Sequence, residues 1–180
     1  AVAIPAGISG NKSNDMLRRL PGVLEKKPDW LLLSCGVNDV GHGKSGVELP
    51  DFKKNVASIL DQAKAAGVKV MILTPTTHTE QLDSANNKKL AGYCEFLRQE
   101  AADRKLLLAD LNKKMQDELI AKKNLKGLKL TIDNLHMNGY GNQMMAAGVL
   151  EAFGVTPAEI ESFRKEWNKI FPEAHLVNPP

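Results

Sequence analysis

Three short apolar runs constrain this chain most. Trp30-Leu31-Leu32-Leu33-Ser34-Cys35, Val68 to Leu73 and Leu106-Leu107-Leu108-Ala109-Asp110 are separated by stretches with helical periodicity. The first run is apolar on both parities, as expected of a strand covered on both faces. Between the runs, Pro50 and Asp51 open a helix with Phe52, Val56, Ile59, Leu60 and Ala63 on one stripe, and Gly67 closes it. A long helix over roughly 81–104 turns Leu90, Tyr93, Cys94 and Leu97 inward. Another follows at about 111–122. Met144, Ala147, Val149, Leu150 and Phe153 form a further helix that stops at Gly154, and Thr156 and Pro157 cap a last one. Near the start, Ala1 to Ile4 is a candidate strand, Gly7 to Gly10 a turn, and Ser13 the expected N-cap of a helix that Pro21 kinks or splits. Strand–helix alternation of this kind predicts a parallel sheet between helical layers. Ligands in such sheets sit at the carboxyl ends of the strands.

Composition removes several classes. The 180 residues suit one domain over 1–180, with a sizeable core. No apolar run approaches the roughly 18 residues of a membrane helix, so no membrane span is expected. The net charge is only +3, and Lys26-Lys27, Lys53-Lys54, Lys88-Lys89 and Lys122-Lys123 read as solvated helix faces rather than a nucleic-acid stripe. The two cysteines, Cys35 and Cys94, lie in predicted elements and read as buried free thiols. The chain opens Ala-Val-Ala-Ile-Pro with no signal peptide visible, which reads like the middle of a longer polypeptide.

The polar residues fall where the sheet rule puts ligands. Asp133 stands three residues before His136, a spacing that lets a carboxylate orient an imidazole through local backbone alone. The same spacing also suits an ordinary surface pair. Gly36-Val37-Asn38-Asp39 follows the first buried strand, where the Asn38 amide can donate to an oxyanion or merely brace the loop. Gly10, in the turn Gly7-Ile8-Ser9-Gly10, can bring a backbone N–H close to a ligand. His42, His78 and His175 lie in loops or near the tail, and His78 is the one placed to line a cleft. Gly43-Lys44-Ser45 looks like the end of a phosphate-binding loop, but position 38, where that motif needs glycine, is Asn, and Pro50 soon follows.

In order and spacing these blocks resemble the SGNH (GDSL-type) esterase and acylhydrolase family, across roughly residues 1–154. Gly10 stands at that family's second-block glycine, Gly36-Val37-Asn38-Asp39 at its Gly-x-Asn-Asp block, and Asp133-Asn134-Leu135-His136 at its Asp-x-x-His block. The resemblance implies a three-layer α/β/α, flavodoxin-like fold and ester hydrolysis through an acyl-enzyme. His136 would be the base, Asp133 its partner, and Gly10 and Asn38 part of the oxyanion hole. It implies no metal or organic cofactor, and a substrate that is an acetyl or short acyl ester, carbohydrate esters included. Secretion or a periplasmic location is the expected setting.

One block departs from the pattern. The family's Gly-Asp-Ser, which carries the nucleophile at the end of a central first strand, is absent from these residues. The expectation is therefore a C-terminal piece, completed by an N-terminal segment or a second chain that supplies strand and serine. Ser9, Ser13 and Ser34 are poor substitutes: Ser9 lacks the Gly-x-Ser-x-Gly elbow, Ser13 reads as a cap and Ser34 as a strand residue. The competing readings are a non-catalytic binding domain of the same shape, and nucleotide chemistry at Gly43-Lys44-Ser45.

Overall fold

The structure, a computed structural model, describes residues 2–170. His175 lies outside the described residues. Strands β1 (Trp30–Ser34), β2 (Lys69–Leu73) and β3 (Leu107–Ala109) form a parallel sheet in the order β1-β2-β3. Seven helices accompany them among the described residues: α1 (Ser13–Leu24), α2 (Val37–Gly41), α3 (Leu49–Ala65), α4 (Ala85–Arg104), α5 (Leu111–Ala121), α6 (Gly139–Ala152) and α7 (Pro157–Ile170).

Side-chain alternation divides the strands between two cores. Leu33, Val70 and Ile72 point to the face covered by α1, α3 and α4, where they pack with Leu20, Phe52, Ile59, Tyr93 and Leu97. Met71, Leu73 and Ala109 point the other way, against Met145, Val149 and Ala152 of α6. A third cluster, Met115, Leu119, Leu130, Tyr140 and Met144, joins α5 to α6. The expected three-layer α/β/α arrangement is thus present. The amphipathic stripe read for α3 is buried at every expected position, and Gly67 ends that helix at φ +73°, with Val68 N–H donating to the Ala63 carbonyl at 2.9 Å.

The differences from expectation have local causes. No strand forms at residues 2–4, which are exposed. Pro21 does not split α1: the helix runs through it to Leu24. Ser13 is the first helical residue and not its cap. Lys12 occupies the cap, and its backbone N–H donates to Asp15 at 3.2 Å. The helix expected from residue 81 starts at Ala85, because Ser84 caps it by accepting the Asn87 N–H at 3.3 Å. β1 is covered only in part on its second face: Leu33 is 5% exposed on the first, whereas on the opposite parity Trp30 packs on Phe153 but Leu32 is 44% exposed. Among the described residues β1 has no neighbour on its outer edge.

One contact decides where the last loop sits. A Cβ at Gly141, in the first turn of α6, would run into the Leu130 carbonyl oxygen and the Met137 sulfur. Gly22, by contrast, has open space around it in α1. Gly141→Ala should therefore destabilise the protein by about 1–3 kcal/mol through overpacking, while Gly22→Ala should stabilise it by roughly 0.4–1 kcal/mol. Urea unfolding of the two variants reads both values.

Candidate active site

The Asp133–His136 segment folds on itself. The Asp133 Oδ1 accepts the backbone N–H groups of Leu135 (3.0 Å) and His136 (2.7 Å), and Asn134 takes φ +75° in the left-handed region. This is the local hydrogen bonding that lets Asp start a turn, and Asn is the non-glycine residue best suited to the left-handed position. The other oxygen, Oδ2, lies 2.7 Å from His136 Nδ1. The His136 hydrogen bonds, side chain before backbone, and the Leu135 N–H lower the Asp133 pKa to about 2. Asp133 is then an acceptor only, so Nδ1 carries the proton and Nε2 is left with the free lone pair. The pair is open: the His136 side chain is 65% exposed.

Asn38 sits on α2, just past β1. The preceding Gly36 takes φ +122°, and a Cβ there would press on Pro75 at 3.1 Å. The Asn38 amide donates to the Asn11 carbonyl at 2.9 Å. Asp39 is fully buried and accepts from Ser13 twice, from its N–H at 3.0 Å and from its hydroxyl at 2.5 Å. The Ser13 hydroxyl in turn accepts from Asn55 at 3.0 Å. These bonds lock the Gly10 turn to the end of β1. Gly10 itself is exposed, at φ +76°, with nothing within 4 Å of a built Cβ.

A small cavity of about 160 Å³ opens here, at the carboxyl ends of β1 and β2. Asn11, Ser34, Cys35, Asn38, Pro75 and Thr76 are among its walls. Asn38 is therefore at a cavity, as the sheet rule predicts, with Gly10 next in sequence to the lining residue Asn11. Asp133 and His136 do not line this cavity, so the structure does not bring the four expected site residues into one pocket. Ser34 is an exposed lining residue, whereas Ser13 is buried and committed to Asp39. Cys35 and Cys94 are free and buried; burial pushes both thiols up, Cys94 to about 12. Neither is a poised nucleophile.

The remaining candidates resolve as structure. The His78 ring packs against Gly41, the His78 backbone N–H donates to the Asn87 Oδ1 at 2.7 Å, and burial lowers the pKa of the ring. His42 is exposed at the end of α2. Gly43–Ser45 is a single 3-10 turn. A phosphate loop leads straight into a helix, whereas here α3 starts only at Leu49. Among the described residues, no three His, Cys, Asp or Glu side chains cluster as metal ligands, and no helix is long and apolar enough to cross a membrane. Sequence reasoning missed Ser13 as the partner of Asp39, and it missed Glu80. The Glu80 carboxylate accepts the N–H groups of Lys129, Leu130 and Thr131 just before Asp133. A glutamate 49 residues away in sequence from its first partner carries no local signal.

Comparison with known proteins bears on the family and the fold. The model of the GDSL-like lipase/acylhydrolase family matches residues 1–144. The esterase TesA of Pseudomonas aeruginosa is 38% identical over 71 residues, which is 39% of this chain and 34% of that protein. The acetylxylan esterase of Geobacillus stearothermophilus is 24% identical over 156 residues, 82% of this chain and 70% of that protein. This chain thus matches about a third of the length of the first relative and just over two thirds of the second. Among solved structures, the acetyl xylan esterase AlAXEase aligns with a TM-score of 0.77 and 30% identity, over 82% of this chain and 78% of that one. With three sequence blocks in order, a parallel sheet between helical layers and a family match over most of its length, the chain belongs to the GDSL-like lipase/acylhydrolase family.

Proposed function

We propose that this chain carries the base and the oxyanion side of a serine-type ester hydrolase acting on acetyl or other short acyl esters, carbohydrate esters being the favoured class. The observation that carries the reading is the 2.7 Å bond between His136 Nδ1 and an Asp133 carboxylate held ionised far below neutral pH. That bond leaves Nε2 as a general base with its orientation fixed. In the reaction, a serine hydroxyl attacks the ester carbonyl carbon while Nε2 takes its proton. The Asn38 amide and the Gly10 N–H stabilise the oxyanion. The intermediate collapses to an acyl-enzyme, and His136 returns the proton to the departing alcohol. Water repeats the sequence and frees the acid.

Three observations support the finer points. The cavity beside Asn38, about 160 Å³, suits a short acyl group better than a long chain. In the Geobacillus acetylxylan esterase, variants described as catalytic mutants replace an early serine, an aspartate, and a histidine three positions after that aspartate. Asp133 and His136 have the same interval. The free outer edge of β1, with Leu32 exposed on it, is where an added parallel strand would deliver a residue beside Ser34 and Asn38. The reading places the nucleophilic serine there, on a segment outside these 180 residues. No serine hydroxyl among the described residues hydrogen-bonds the His136 ring.

Two predictions follow from this geometry. In protein purified from its source, hydrolysis of 4-nitrophenyl acetate should fall by roughly 10²–10⁴-fold in His136→Ala and by roughly 10²–10³-fold in Asn38→Ala. A fluorophosphonate probe followed by peptide mass mapping locates the nucleophile. Label on Ser34 or Ser9 sinks the external placement, and absent turnover with retained ligand favours the binding-domain alternative.

The second concerns pH. Because its folded pKa is lowered, Asp133 contributes stability above the ordinary carboxylate range and loses that contribution as pH falls through about 2. Asp133 therefore stays ionised across the working range. Carboxyl ¹³C NMR should show Asp133 titrating near 2. In His136→Ala the midpoint should rise toward the reference value of about 3.9, held partly below it by the two backbone donors.

A further inference from the structure

The residues that lead into the dyad have an unusual support. Leu128 to Ile132 alternates apolar and polar residues as a strand does, yet among the described residues it joins no sheet, and its strand-type pairing is one isolated bridge, Thr131 with Met137. Three consecutive backbone N–H groups there need a partner, since unpaired amides away from water are costly. One side chain satisfies all three. Glu80 Oε1 accepts from Leu130 N–H (2.7 Å), Thr131 N–H (2.8 Å) and the Thr131 hydroxyl (2.7 Å), and the Lys129 N–H donates to both oxygens, to Oε2 at 2.7 Å and to Oε1 at 2.9 Å.

Glu80 is itself fixed. The Asn87 amide of α4 donates to the carbonyls on either side of it, Thr79 at 3.0 Å and Gln81 at 2.8 Å. The far side of the dyad loop is held by Asn138. Its N–H donates to the Leu130 carbonyl at 2.9 Å, and its side chain caps α6 by accepting the Gly141 N–H at 2.9 Å. Ile132 N–H closes the loop on the His136 carbonyl at 2.8 Å. The chain of bonds therefore runs from α4 through Glu80 to residues 129–131, and from there to Asp133 and His136. The loop between β2 and α4 that carries Glu80 also contains Pro75 and Thr76, two walls of the cavity that Asn38 lines.

We propose that Glu80 is a positioning residue for the Asp133–His136 dyad, taking the place of a neighbouring strand for residues 129–131 and setting where His136 stands relative to the Asn38 cavity. It acts through backbone and touches no substrate. The chemistry specifies the residue type. Only a carboxylate presents acceptors on both oxygens. Glutamine can keep the Oε1 cluster but turns an NH₂ group toward the Lys129 N–H, and alanine leaves all three amides without this partner.

The test compares wild type, Glu80→Gln and Glu80→Ala by NMR of the His136 ring, amide hydrogen exchange at 129–131, and ester kinetics. Only the kinetic arm rests on the ester-hydrolase reading; the NMR and exchange arms decide the role of Glu80 even if the wild type turns over no ester. The Asp133–His136 bond is local, so its far-downfield Nδ1 proton should persist in all three proteins. Glu80→Ala should exchange its 129–131 amides faster, shift the carbon-bound proton signals of the His136 ring and drop kcat by roughly 10–100-fold, as misplacement of about an ångström does, with KM within about twofold. Glu80→Gln should restore the ring signals and most of kcat, with the faster exchange largest at Lys129. A folded Glu80→Ala protein with wild-type His136 ring signals overturns the proposal. If Glu80→Ala does not fold, Glu80→Gln decides: faster exchange at Lys129 with the ring signals kept supports the proposal, and unchanged exchange overturns it.

Discussion

A carboxyl group with no solvent exposure, that of Asp39, fixes the geometry at the end of β1. A buried polar group of this kind is tolerated only when its hydrogen bonds are made. Ser13 makes them with both its N–H and its hydroxyl, from the first residue of α1. The consequence reaches beyond stability. The glycine turn before α1 is tied to the α2 turn after β1, so Asn11 and Asn38 meet across 2.9 Å and wall one cavity. The Asp39 carboxyl group thereby shapes the cavity beside Asn38.

The Asp133–His136 loop is held by the same physics, from different residues. His136 and Asp133 belong to a loop with no sheet to lean on, and their mutual geometry is local: one carboxylate satisfies two backbone amides and one ring nitrogen. The position of the loop is not local. It is set by Glu80 on one side and by the packing of Gly141 on the Leu130 carbonyl on the other. The two halves of the site thus hang on separate frameworks, α1–β1–α2 and the β2–α4 loop with α6. The surface between them is open in this structure, with His136 exposed and Leu32 uncovered on the free edge of β1. An apolar edge strand without a partner is a site for strand addition, which is why the proposed nucleophile segment is placed there.

The fold was legible because burial imposes periodicity. The apolar runs at 30–35, 68–73 and 106–110 could only be strands of a covered sheet, and the α3 stripe of Phe52, Val56, Ile59, Leu60 and Ala63 could only be a helix face. Boundaries were less legible where side chains were recruited from afar. Ser13 reads as a cap in isolation, but Asp39 draws it into the interior, and residues 81–84 look helical until Ser84 caps the helix that follows them. The full covering expected for β1 failed because Leu32 reads as core by type, while its exposure depends on a neighbour that local pattern cannot supply.

What the sequence determined by itself was whatever depends on neighbours within a few residues: helix faces, strand parity, the Asp133–His136 pair and the placement of Asn38 after a strand. Those follow from backbone period and short-range hydrogen bonding. Only the tertiary structure decided the long-range satisfaction of buried and backbone polar groups, Ser13 with Asp39 across 26 residues and Glu80 with Leu130 across 50. Such partners are chosen by where the packed layers bring donors and acceptors together, and no local pattern encodes that meeting.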